Sequence, residues 1–181
     1  MGYNLVTVSV ISFFLLILTG CDSVKHVFKE GPPVAKVVEA SYATGDALVT
    51  RAGTALSKTK PMIAATFVNI DDLEQTSSFG RIVSKQVASR FTQRGFNIIE
   101  MLFRHNVFIK QDTGEFLLSR ELRNISSEHN AQAVIVGTYA VGRKTVYINA
   151  LLIRAVDSIV LASHDYTLPI DPDMAYMLQN K

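Results

Sequence analysis

The nine residues Met62-Ile63-Ala64-Ala65-Thr66-Phe67-Val68-Asn69-Ile70 are almost continuously apolar and partly β-branched. A half-exposed strand alternates polar and apolar positions, whereas a run without a polar side is the pattern of a strand covered on both faces. Such a strand belongs in the middle of a sheet. Asp71-Asp72-Leu73-Glu74 then reads as a loop, and Ser77 or Ser78 can cap a helix by accepting from the free amides of its first turn. In that helix Phe79, Ile82, Val83, Val87 and Phe91 share one face, Arg81 and Lys85 lie on the opposite one, and Gly95 ends it. Phe96 to Leu102 follows directly as a second strand, so Met62–Leu102 reads as strand, helix, parallel strand.

The rest of the chain can be placed around this unit. Upstream, Val34 to Leu56 repeats apolar residues at three- and four-residue steps, which predicts an amphipathic helix. Gly45 and Gly53 either divide it or permit close packing on a neighbour. Downstream, Phe103 to Glu115 is irregular, with a short strand at Val107–Ile109 and a turn at Asp112-Thr113-Gly114. A helix is expected over Leu117–Asn130 with Leu118, Leu122 and Ile125 on one face, then a third apolar strand over Ala131–Ala140. Gly142-Arg143 and Asp157-Ser158 are short turns between β-rich runs, so Thr145–Val156 and Ile159–Leu168 add antiparallel hairpins. Asp171 to Lys181 is read as a final helical turn or two. The fold class is α/β: one domain with a mixed sheet, parallel where helices intervene and antiparallel at the carboxyl end, packed by helices.

The amino terminus has a different character. The apolar run Leu5–Leu18 is short for a membrane-crossing helix, which needs roughly 20 apolar residues, but suits the core of a secretory signal. It ends in Leu18-Thr19-Gly20-Cys21, which resembles a bacterial lipoprotein box. The resemblance implies a diacylglyceryl group on the Cys21 thiol, cleavage between Gly20 and Cys21, and acylation of the new amino terminus, palmitate being a usual acyl group. No Lys or Arg precedes Cys21, so the positive region of the signal reduces to the amino terminus itself. Each buried methylene contributes about 0.8 kcal/mol, so two or three acyl chains hold a protein almost permanently. The expected organisation is a signal over residues 1–20, a lipidated cysteine and tether over 21–33, and a domain over 34–181. Gly31-Pro32-Pro33 favours an extended tether of up to about 40 Å at roughly 3.3 Å per residue. Composition narrows the function: a net charge of +2 gives no argument for nucleic acid, and with the single cysteine lipidated no thiol is left for disulfides, thiolate catalysis or zinc.

Several constellations imitate chemistry. Asp112-Thr113-Gly114 matches part of an aspartic-protease motif but has no second copy to complete a dyad. Gly137 to Thr145 nearly spells a phosphate loop, but such a loop must open a helix and Thr145 opens a β-rich run. Ser163, His164 and Asp165 are the residue types of a hydrolase triad, yet neighbours on a strand point to opposite faces. They read as cross-strand hydrogen-bonding residues on the solvent face. Asp71, Asp72 and Glu74 lack the spacing and glycine of a calcium loop. His26, His105, His129 and His164 are scattered. No catalytic residue, metal or cofactor is expected.

From Pro61 to Pro169 the chain resembles the FlgO family of bacterial outer-membrane lipoproteins. The matching stretches are Ala65-Thr66-Phe67-Val68 with Asp71-Asp72-Leu73, Ser77-Ser78-Phe79-Gly80-Arg81, Arg94-Gly95-Phe96, Thr113 through Leu122, Val136-Gly137-Thr138-Tyr139 and Ala162-Ser163-His164-Asp165-Tyr166. The resemblance implies a non-enzymatic cell-envelope protein associated with the flagellum and motility, with a layout similar to the amino-terminal domain of TolB. Its partners would be a membrane, through the lipid, and other envelope or flagellar proteins. Asp22 after the lipidated cysteine departs from the outer-membrane pattern, since in enteric bacteria an aspartate there tends to retain lipoproteins in the inner membrane. The alternative is a general envelope assembly or secretion accessory, unrelated to flagella, that oligomerises through strand edges or the Val34–Leu56 helix. The expected partner surface comprises Phe103, Phe108 and Phe116 from the irregular region, and Arg81, Lys85, Arg120 and Arg123, which would join as a basic patch if both helices cover one side of the sheet.

Overall fold

The computed structural model describes residues 33–100, 109–110, 117–118 and 120–179. The anticipated signal, Gly20, Cys21 and the tether up to Pro32 lie outside the described residues, as do Phe103, Phe108, Phe116, the Asp112–Gly114 turn, His26 and His105. The elements in chain order are α1 (Pro33–Ala52), a 3-10 turn (Gly53–Ala55), β1 (Met62–Ala64), β2 (Val68–Asn69), α2 (Ser78–Gln93), β3 (Ile98–Glu100), β4 (Ile109–Lys110), β5 (Leu117–Leu118), α3 (Arg120–Glu128), β6 (Ala133–Val141), β7 (Thr145–Arg154), β8 (Val160–Pro169) and α4 (Pro172–Leu178). They build a single α/β domain around a six-stranded mixed sheet of order β3-β1-β6-β7-β8, with β2 pairing the same β6. β1 is parallel to β3 and β6, and β2 is parallel to β6. β6, β7 and β8 are antiparallel neighbours, in register from Val141↔Val146 and Thr145↔Pro169.

The expected central strand is inner, but it is split. The ring of Phe67 lies over Gly137, where a Cβ would come within 2.3 Å of it. Thr76 Oγ1 donates to the Phe67 carbonyl at 2.7 Å. Phe67 is therefore drawn out of the ladder to fill the core, and the run resumes at Val68, which pairs with Thr138. A side chain at Gly137 would close that slot.

α1 is one helix, ended by Gly53 in a positive-φ conformation. Gly45 is a point of close approach, since a Cβ there would stand 2.7 Å from Arg90 Cβ on α2. Next to that contact Asp46 accepts from Arg90 and Arg94 at 2.6 to 3.0 Å. The Arg90 hydrogen bond, offset in part by burial, holds the Asp46 carboxyl below the usual range. α2 begins as anticipated: Ser77 Oγ accepts from Gly80 N–H at 3.3 Å and from the buried Tyr139 hydroxyl at 2.9 Å. Burial pushes the Tyr139 phenol up, against the pull of Ser77.

Three expectations need correction. The helix anticipated over Leu117–Asn130 starts at Arg120, because Leu117 and Leu118 satisfy their backbone groups in a ladder with Lys110 and Ile109. Leu118 is thus a strand residue. His164 is not on the solvent face: by register it shares a face with Ala162, Tyr166 and Leu168, beneath α1. Third, the helices carrying Arg81 and Lys85 and carrying Arg123 lie on opposite sides of the sheet. Met62, Ala64, Ala133, Ile135, Ile148 and Leu152 face a core built with α1, α2 and α4, whereas Ile63, Val134, Val136, Leu151 and Ile153 face Leu122 and Ile125 of α3. Arg81, Lys85 and Arg123 are exposed, but the sheet separates them, so they do not join as the single patch envisaged with Arg120.

Candidate docking surface

Among the described residues, a helix covers the face beneath α3 for only half its length. β6 presents Val134, Val136, Thr138 and Ala140 to it, and β7 presents Ile153, Leu151, Asn149 and Tyr147. α3 packs on the aliphatic half through Leu122 and Ile125. It has nine residues, about 13.5 Å at 1.5 Å per residue, too short to reach the other half. No described helix covers that half.

There the register sets Thr138 opposite Asn149, Ala140 opposite Tyr147, Tyr147 opposite Thr167, and Asn149 opposite Asp165. Together with Ile70 these residues form a shallow recess. Thr138 is its buried floor, while Tyr147 is 57% exposed and Ile70 42% exposed. Asn149 Nδ2 donates to Asp165 Oδ1 across the strands. This is the cross-strand role expected of Asp165. Large apolar groups on a rigid sheet beside satisfied polar ones are suited to protein contact: the anchors are in place before binding, so little order remains to be imposed.

The outer edge of β8 has its own guard. Arg51 Nη1 of α1 donates to the Ser163 carbonyl and lies 3.1 Å from His164 Nδ1. The His164 ring stacks on Tyr166, centroids 5.8 Å apart. Burial, then the Arg51 charge, lowers the His164 pKa, with Asp165 opposing. Burial pushes the Tyr166 phenol up to about 12, with Thr44 and then Ser41 opposing. A charged side chain on an edge strand discourages pairing with another strand.

The chemistry-like motifs resolve by geometry. Ser163 and Asp165 point to the face opposite His164, so the three cannot form a relay. Thr145 opens β7, where a phosphate loop would need a helix. Asp71, Asp72 and Glu74 lie in a hydrogen-bonded loop, and among the described residues no group of three or more His, Cys, Asp or Glu side chains is arranged to hold a metal ion. Also among the described residues, no helix is long and apolar enough to cross a membrane. The recess was missed in the sequence because no single segment carries it. Its signal was the change along β6 and β7 from Val, Leu and Ile to Thr, Ala, Asn and Tyr.

The fold has known counterparts. The LpoB C-terminal domain from Salmonella enterica is similar at 12% identity and a TM-score of 0.51, over 73% of this chain and 97% of that one. The LpoB C-terminal domain from Escherichia coli gives 8% identity and a TM-score of 0.49 over 71% and 97%. The PelC dodecamer from Paraburkholderia phytofirmans gives 16% identity and 0.44 over 65% and 76%. Comparison with curated proteins gives no match. The model of the FlgO protein family matches residues 42–173, from the middle of α1 to the start of α4 and so across the whole sheet. The chain belongs to the FlgO family.

Proposed function

We propose that this chain is a non-enzymatic lipoprotein of the cell envelope, associated with the flagellum and motility, that acts by membrane anchoring and protein contact. The observation that carries the reading is the family match over residues 42–173. The Leu18–Cys21 box supports the anchor. In this reading the chain is cut between Gly20 and Cys21, Cys21 bears the lipid, and the outer membrane is the destination, with Asp22 the residue that would redirect it. The recess around Tyr147 is the leading contact surface. Phe103, Phe108 and Phe116, with Arg81, Lys85, Arg120 and Arg123, stay as secondary contacts, the basic ones acting on two separate faces.

The test is swimming and envelope fractionation in a deletion strain complemented with wild type, Cys21→Ala or Asp22→Ser. Loss of swimming in the deletion, restored by wild type and not by a stably produced Cys21→Ala protein, is the expected result. Asp22→Ser moving the protein between membrane fractions would identify the sorting residue. Normal swimming in the deletion would contradict the flagellar reading and leave the general assembly accessory.

A further inference from the structure

The recess has a border of two signs. On one side the loop after β2 carries Asp71, Asp72 and Glu74, and its shape is fixed by its own hydrogen bonds. Asn69 Oδ1 accepts from Asp71 N–H and Asp72 Oδ1 from Glu74 N–H, both at 3.1 Å, and Gln75 N–H donates to the Asp72 carbonyl at 3.0 Å. Leu73 packs the loop against the α3-side core. At the end of the two strands the β6–β7 turn, closed by Gly142 N–H to the Thr145 carbonyl at 2.8 Å, carries exposed Arg143 and Lys144. None of these five charged side chains has an ion-pair partner among the described residues. Ile70, the residue before the acidic loop, and Tyr147, three residues after Lys144, both line the recess.

A partner of one charge sign is attracted by one arm and repelled by the other. The surface that matches both arms carries both signs in reversed order, and a two-fold rotation of this same surface provides that. It sets the acidic loop of each copy over the basic turn of the other and brings the Ile70–Tyr147 strip against itself. We infer that this half-face pairs with a second copy of the chain, acidic loop to basic turn around a shared apolar strip. The inference rests on the half-face being a docking surface and names its occupant.

The test is sedimentation of the full-length chain over a range of concentrations, at low and high salt, with two charge reversals. One is Asp71→Lys with Glu74→Lys; the other is Arg143→Glu with Lys144→Glu. All four positions are exposed, so the fold should survive both, which circular dichroism checks. The expected result is a concentration-dependent dimer, with the midpoint raised about tenfold or more by either reversal, since like charges then oppose each other at both contacts. An equimolar mixture of the two variants should regain the dimer, because a copy with two basic arms then meets one with two acidic arms. A wild-type monomer at every concentration, or a dimer indifferent to both reversals, would overturn the inference. If that happens while Tyr147→Lys still abolishes swimming, the docking surface stands and its occupant is a different protein.

Discussion

The two faces of the sheet show the same strands under different obligations. On the face beneath α1, α2 and α4, the inward positions of β1, β6 and β7 stay apolar or aromatic along the strand, from Met62 and Ala133 to Tyr139 and Val146. On the other face the inward positions are aliphatic only as far as Val136 and Leu151, where α3 stops, and then turn to Thr138, Asn149 and the exposed Tyr147. The difference teaches that side-chain type follows the cover, position by position along one strand. The first face is a core over its whole length. The second is core beneath α3, and no described helix covers its other half.

Substitutions separate these roles by size. The largest loss is expected at Phe67, which is fully buried on the three-helix face and sits over Gly137. Phe67→Ala should lower stability by about 3–5 kcal/mol in urea unfolding, through lost burial and the cavity left behind. Leu122→Ala removes the buried anchor of α3 and should take away about 2–4 kcal/mol. Its amide exchange should rise in α3 before α1 or α2, because among the described helices α3 alone packs on that face. If Leu122→Ala proved as costly as Phe67→Ala and loosened all helices together, the two faces would not be separable in this way. Ser77→Ala deprives α2 of its cap and the Tyr139 hydroxyl of its acceptor. A loss of about 1–2 kcal/mol is expected, read as the shift in urea midpoint at unchanged slope.

Acid should loosen the contact of α1 with β8 selectively. The His164 pKa is lower in the folded chain than its ordinary value, so the unfolded chain binds the proton more readily. The contribution of neutral His164 is therefore fully present above about pH 6.5 and is lost as pH falls toward the folded value, when the imidazolium faces Arg51. His164→Asn should flatten stability over that window, measured by melting temperature against pH. An unchanged pH profile would remove His164 from the account. The smallest effect on stability is expected for Tyr147→Lys, within about 0.5 kcal/mol, because the side chain is mostly exposed and no described helix rests on it.

Much of the architecture could be read along the chain because its signals are local. The Ser77 cap, the 3.6-residue stripe ending in Phe91 and the Gly95 stop place α2 within a residue. The turns at Gly142 and Asp157 place the hairpins. What was not legible depends on residues far apart in sequence. Phe67 breaks its strand because Gly137, seventy residues later, leaves a slot for the ring. The two leucines before α3 pair with Ile109 and Lys110 although their spacing suits a helix. Which side of the sheet each helix covers is a matter of chain crossing, so a basic patch drawn from α2 and α3 together had no local signal against it. The candidate surface was hidden for the same reason. Ile70, Ala140, Tyr147 and Thr167 are unremarkable singly and become a site only in register.

The most direct test of the docking half-face is its accessibility in the cell. Cys21 is the only cysteine, so a new thiol can be followed against the wild-type background. Tyr147→Cys places one in the recess, and Thr50→Cys places one on the exposed side of α1. In dilute purified protein both should react with a maleimide at similar rates. In intact envelopes the thiol at 147 should be protected at least severalfold relative to the one at 50, as a covered docking surface requires. Equal reactivity of the two positions in envelopes would contradict the account, leaving the half-face around Tyr147 as ordinary solvent-exposed sheet.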